Sequence, residues 1–151
     1  RRERIISMKI LFVCTGNTCR SPMAAALMRR ELDKRGRTDI IIESAGLAAF
    51  GEPASRNAVD TVAELDEKYA APLKDHISRS VTAEQIEEAD LIAVMSDSHA
   101  AAVIERGADP EKVSVLGADG GIPDPFGGDI EVYRRTRDRL EQAVSRLADT
   151  I

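Results

Sequence analysis

Four short apolar runs punctuate the chain. KILFVC (Lys9–Cys14), IIIESAG (Ile40–Gly46), LIAVMS (Leu91–Ser96) and KVSVLG (Lys112–Gly117) are each rich in β-branched residues and of strand length. The intervals between them read as helical. Ser21 followed by Pro22 predicts a helix start, because serine caps and proline is tolerated in the first helical turn, and the helix runs to about Arg35. ASRNAVDTVAEL (Ala54–Leu65) predicts a second helix after a loop containing Gly51 and Pro53. At the C-terminal end Ile130, Tyr133, Leu140, Val144 and Leu147 fall on one face at helical spacing, interrupted by Arg137, and Asp129 is placed to cap that core-facing helix. Strands alternating with helices predict an α/β fold, a single three-layer domain whose four-stranded parallel sheet is flanked by helices. In such folds ligands sit beyond the carboxyl ends of the strands.

Composition narrows the choice of chemistry. The 151 residues suit one domain, and 43% hydrophobic with 31% charged residues is ordinary for a globular protein. A formal charge of −5 argues against a broad nucleic-acid or anionic-membrane footprint and leaves room only for a local cationic pocket. Two cysteines make no disulfide framework, and two distant histidines, His76 and His99, make no zinc site. No metal and no cofactor are therefore expected. The apolar run after the charged N-terminus is too brief for a signal peptide or a membrane span, which predicts a cytoplasmic protein. Met8 is expected as the natural start, with residues 1–7 an added or frayed extension and residues 8–151 the domain.

Candidate chemistry concentrates where the first strand ends, in VCTGNTCRSPMA (Val13–Ala24). A turn from strand to helix, eased by Gly16, aims successive backbone N–H groups inward, and the helix N-terminus adds roughly half a positive charge. Arg20 adds a full charge and a fork of donors matched to two phosphate oxygens. Cys14 lies at the base of this phosphate-binding loop, where the same groups stabilise a thiolate, the nucleophilic form of the side chain. Alone, Cys14 reads as a buried strand-end residue and Arg20 as a surface charge; strand, glycine, serine, proline and helix in register favour chemistry.

VCTGNTCRSPMA also resembles the signature of the low-molecular-weight protein-tyrosine-phosphatase family. The likeness continues through SAG (Ser44–Gly46), DHISRSVT (Asp75–Thr82), ADLIAVM (Ala89–Met95) and DPFGGD (Asp124–Asp129), and so spans Met8 to the C-terminus. Thr18 before the second cysteine, and Asp124-Pro125-Phe126, are similar to the bacterial protein-arginine phosphatases of that family. The resemblance implies a cysteine-dependent phosphatase acting on phosphorylated proteins. Cys14 attacks phosphorus, and Arg20 holds the oxygens together with the loop of Thr15, Gly16, Asn17, Thr18 and Cys19. Asp124 protonates the leaving group and then serves as base for hydrolysis of the cysteinyl-phosphate. Asn17, Ser21, Ser44 and His76 support the loop. Read locally, Asp124-Pro125 is also an ordinary turn and His76 an ordinary packed residue, while His99 reads as solvent-facing.

Two points stay open on the residues themselves. Cys19 is either a small packing residue, the preferred reading, or a thiol that captures oxidised Cys14. Specificity turns on Thr18, which offers a hydroxyl and little bulk, and on Phe126, which gives one apolar wall with an open side at Gly127; Phe50 is a candidate second wall. These favour phosphoarginine over phosphotyrosine. An arsenate reductase of this fold needs further cysteines, and none follows Cys19. A binding module that does no chemistry needs neither Cys14 nor Asp124.

Overall fold

The computed structural model describes residues 7–117 and 120–151; residues 1–6, most of the expected extension, lie outside the described residues. Four strands, β1 (Met8–Cys14), β2 (Ile40–Gly46), β3 (Leu91–Val94) and β4 (Val113–Val115), pair in parallel in the order β2-β1-β3-β4. Six helices cover them: α1 (Arg20–Lys34), α2 (Arg56–Leu65), α3 (Glu67–Lys74), α4 (Ala83–Glu88), α5 (Asp97–Glu105) and α6 (Ile130–Ala148). The expected three-layer α/β architecture is the observed one.

Alternation along β1 divides the core in two. Ile10, Phe12 and Cys14 join the cluster under α1, α2, α3 and α6, while Leu11 and Val13 join the one under α4 and α5. Successive side chains of a strand point to opposite faces, so a strand buried on both must be apolar throughout. Ile10 to Val13 are essentially inaccessible, and burial of each side chain contributes roughly 1.5–3 kcal/mol. This rigid central strand fixes the position of its last residue, Cys14, which pairs with Gly46 of β2. Because β2 and β3 flank β1 on opposite sides, the connections leaving the sheet diverge there and open a crevice.

The elements differ from expectation mainly at their ends. β3 stops at Val94, not Ser96, because the chain turns to start α5, where the Ser96 hydroxyl accepts from the His99 amide at 3.2 Å. The first helix begins at Arg20, with Cys19 at the cap position and no side chain capping it. Ser21 is therefore not the cap; its hydroxyl is engaged elsewhere. Asp129 does cap α6, accepting from the Val132 amide at 3.0 Å. Arg137 does not break the apolar face of α6, since its guanidinium lies over α2, donating to the Thr61 carbonyl (3.0 Å) and to Glu64 (2.7 Å). Among the described residues no helix is long and apolar enough to cross a membrane.

Candidate functional site

Asn17 is the keystone of the loop between β1 and α1. Its φ of 58° is left-handed, a conformation that asparagine tolerates better than most residues and that turns the chain sharply toward the helix. The residue is fully buried, and its groups reach five partners. Nδ2 donates to the hydroxyls of Ser21 (2.8 Å) and Ser44 (3.1 Å), and Oδ1 accepts from the Arg79 amide (3.0 Å). Its carbonyl meets Nε2 of His76 at 2.7 Å, and its amide donates to the sulfur of Cys14 at 3.3 Å. Asn17, expected among the ligand-binding residues, thus commits its side chain to holding the loop, as do Ser44 and His76.

The tip of β2 braces the other side. Leu47 and Ala48 donate to the carbonyls of Cys14 and Thr15, each at 2.9 Å, so the loop continues the sheet pairing for two more residues. Gly46 permits this approach: a Cβ there would stand 2.6 Å from the Thr15 carbonyl oxygen. A side chain at this position would push the loop off the strand.

Cys14 is 2% exposed at the floor of the resulting pocket, with its sulfur 2.9 Å from the Ser21 hydroxyl. Arg20, also buried, is aimed by a hydrogen bond from Nη1 to the Ile122 carbonyl at 2.9 Å. Ile122 is itself anchored by donating to the Met95 carbonyl at 2.8 Å. Gly121 allows this, since its φ is 127° and a Cβ would meet the Met95 oxygen at 2.1 Å. The segment carrying Asp124 is thereby tied to the end of β3. Asp124 accepts from the Phe126 amide through Oδ1 (3.1 Å), which leaves Oδ2 at 3.7 Å from Arg20 Nη2. Its side chain is about half exposed, on the rim above the thiol.

The pocket is lined by residues 14–20 together with Ala48, Phe50, Glu52, Asp124 and Phe126. Phe50 and Phe126 are 82% and 74% exposed, two apolar walls standing in solvent at its mouth. Thr18 lines the same space. Glu52 is a lining residue that sequence reading missed; a lone glutamate in a Gly-Pro loop carries no signal until the loop folds over the site. Among the described residues no group of three or more histidine, cysteine, aspartate or glutamate side chains gathers to hold a metal.

Cys19 is buried behind the loop, its sulfur 2.9 Å from the Ser55 hydroxyl and 3.2 Å from that of Tyr133. Burial, with the Cys19 contact next, pushes the Tyr133 hydroxyl up to about 12, so it stays protonated as a donor. Both cysteines are free thiols. These contacts tie Cys19 to the start of α2 and to α6.

His99 corrects an expectation. It does not face solvent but is 5% exposed, with Nε2 2.8 Å from the Thr15 hydroxyl. The serine cap places it in the first turn of α5, beside the loop. Its isolated position in the sequence concealed this, because the contact spans 84 residues.

A family model described as low molecular weight phosphotyrosine protein phosphatase matches residues 9–151. A protein-arginine-phosphatase of Bacillus subtilis (strain 168) is 40% identical over 147 residues, covering 93% of this chain and 95% of that protein. Another protein-arginine-phosphatase, from Geobacillus stearothermophilus, is 41% identical, with 95% of each covered. The crystal structure of a low molecular weight protein tyrosine phosphatase from T. tengcongensis superposes with a TM-score of 0.85 at 34% identity, covering 96% of this chain and all of that one.

Proposed function

Because the chain belongs to the low molecular weight phosphotyrosine protein phosphatase family and is a cysteine-dependent phosphatase, we propose that it hydrolyses phosphoarginine in proteins, with Cys14, Arg20 and Asp124 carrying the reaction. One observation bears most of the weight: a buried thiol at the floor of a pocket, with a buried guanidinium beside it and a carboxylate on the rim.

The phosphoryl group enters the loop, where the backbone amides of residues 15, 16 and 18–20 and the fork of Arg20 hold its oxygens. Arg20 is held in place before substrate arrives by the Ile122 carbonyl, so little reorganisation is needed. The Cys14 thiolate, stabilised by the Ser21 hydroxyl and the Asn17 amide, attacks phosphorus in line. The sulfur–phosphorus bond forms as the phosphorus–nitrogen bond breaks, and Asp124 gives its proton to the departing guanidine nitrogen. Water then attacks phosphorus, passing a proton to Asp124 and displacing the thiolate. Inorganic phosphate leaves and the enzyme returns to its starting state.

Phosphoarginine is favoured by three features. Thr18 brings a short hydroxyl side chain to the pocket, Glu52 brings a carboxylate to a rim that a cationic guanidinium must pass, and two relatives over 90% of the chain are protein-arginine-phosphatases. The exposed Phe50 and Phe126 favour a second reading, phosphotyrosine, whose ring they could sandwich. Catalytic efficiency on matched phosphoarginine and phosphotyrosine peptides separates the two, and Cys14→Ser serves as control. The proposal expects a higher value on phosphoarginine and no turnover by Cys14→Ser; preference for phosphotyrosine overturns the substrate, and turnover by the serine variant overturns the nucleophile.

A further inference from the structure

His99 is a buried ring beside the loop to which the reaction above gives no task. Its Nε2 meets Oγ1 of Thr15, and among the described residues its buried Nδ1 has no partner. Burial, then the nearby charge of Arg20, holds the imidazole below the usual histidine pKa, with Asp124 opposing. Placement in the first turn of α5 acts in the same direction, since the positive end of a helix disfavours imidazolium. The ring is neutral at pH 7 and carries one proton.

That proton has two places to sit. On Nδ1 it would be a buried N–H with no acceptor among the described residues, leaving the full desolvation cost of a donor unmet. On Nε2 it is donated to the Thr15 oxygen at 2.8 Å. The second arrangement satisfies the donor and also settles the hydroxyl. A threonine hydroxyl has a single proton, and with its oxygen accepting from Nε2 that proton turns away from His99. Thr15 is exposed, lines the pocket between Cys14 and Gly16, and has no other side-chain hydrogen bond among the described residues.

We infer that the Thr15 hydroxyl donates to an oxygen of the bound phosphoryl group, and that His99 is the positioning residue that turns this proton into the pocket. The inference rests on the phosphatase reading of the pocket. It adds a side-chain donor to the ring of backbone amides, at the residue directly following the nucleophile. A hydroxyl donor aimed at an oxyanion by a fixed partner loses little freedom on binding, which is what makes such a contact effective.

Hydrolysis of an aryl phosphate, and its inhibition by inorganic phosphate, are measured for the parent, Thr15→Val, His99→Leu, His99→Gln and the Thr15→Val/His99→Leu pair. Valine keeps the shape of threonine without the hydroxyl, and glutamine keeps an N–H that leucine lacks. Thr15→Val and His99→Leu are each expected to weaken phosphate inhibition and lower kcat/KM by about one to two decades, the worth of one hydrogen bond to a charged group. The pair should lose no more than either change alone, since both act through one contact. His99→Gln should recover most of what His99→Leu loses, and the rate at which iodoacetamide alkylates Cys14 should stay at the parent's value throughout. Phosphate inhibition of Thr15→Val within about twofold of the parent, or losses that multiply in the pair, overturns the inference. If His99→Leu does not fold, His99→Gln decides: a loss as large as that of Thr15→Val overturns it, and a smaller one upholds it. A parent without turnover removes the phosphatase reading itself, whereas an active parent with an unaffected Thr15→Val removes only this inference.

Discussion

The sulfur of Cys14 lies 2.9 Å from the hydroxyl oxygen of Ser21, and that oxygen accepts a 2.8 Å hydrogen bond from Asn17 Nδ2. A thiolate can only accept, so it is the single proton of the Ser21 hydroxyl that is shared with the sulfur, while Asn17 occupies one of the oxygen's lone pairs. The Ala45 carbonyl, at 3.4 Å, is the more distant alternative acceptor. Two donors, this hydroxyl and the Asn17 amide, therefore converge on one sulfur in a buried place.

Ser21→Ala removes the shorter of those contacts. A hydrogen bond to a charged group contributes about 1.5–3 kcal/mol, so the variant is expected to lose roughly one to two decades in kcat, and Cys14 to alkylate more slowly with iodoacetamide at neutral pH. Single-turnover rates together with alkylation rates check this; an unchanged alkylation rate would make Ser21 a packing residue only.

Asp124→Asn keeps the turn, because its amide oxygen can still accept from the Phe126 amide, but cannot protonate a leaving group. Loss on phosphoarginine should fall within the ~10²–10⁴ range of general acid catalysis, and loss on an activated aryl phosphate should be far smaller. Equal losses on the two substrates would assign Asp124 to orienting Arg20, 3.7 Å away.

Thr18→Ile replaces a hydroxyl in the pocket lining with bulk. Efficiency on phosphoarginine is expected to fall more than on phosphotyrosine, moving the ratio by about one to two decades, the equivalent of one hydrogen bond to a charged group plus crowding. Steady-state kinetics of parent and variant on the same peptide pair decide it. A ratio within about twofold, below roughly 0.5 kcal/mol, would leave Thr18 without a selecting role.

Away from the pocket, Glu64 joins α2 to α6. Hydrogen bonding from Arg134 first, then Arg137, holds its carboxyl at about 2, against an ordinary 4.5. A folded pKa below the unfolded one stabilises the protein above the unfolded value, and the gain disappears as pH falls through the folded value. Glu64→Gln should therefore melt below the parent at pH 7, with the gap closing between about pH 5 and pH 2. Thermal unfolding of both proteins across that range is the measurement; a gap independent of pH would trace to packing of the side chain instead.

Much of the fold was legible because local pattern and global architecture agree. Each apolar run is short and bounded, and β1 and β3 are buried on both faces, so strand length and composition identify the runs without knowledge of their neighbours. The loop was legible for a similar reason: Cys14, Gly16, Arg20, Ser21 and Pro22 lie within nine residues, and the distance between strand end and helix start leaves few ways to arrange them. Asp124 entered through a family likeness, since an aspartate before proline is by itself only a turn.

Contacts across long stretches of chain were beyond that reading. Nothing near His99 in sequence distinguishes a solvent-facing histidine from one packed against Thr15, 84 positions away. Ser21 reads as a cap, because capping is what serine does locally; only the approach of Asn17 and the Cys14 sulfur diverts its hydroxyl. Arg137 looked like a break in an apolar face until α2 supplied a carbonyl and a carboxylate to receive it. Short-range order follows from backbone propensity and hydrophobic period, which each segment carries with it. A side chain's hydrogen-bond partner, the burial that sets its protonation and the role it can play belong to pairs of segments, and only the packed tertiary structure brings those pairs together.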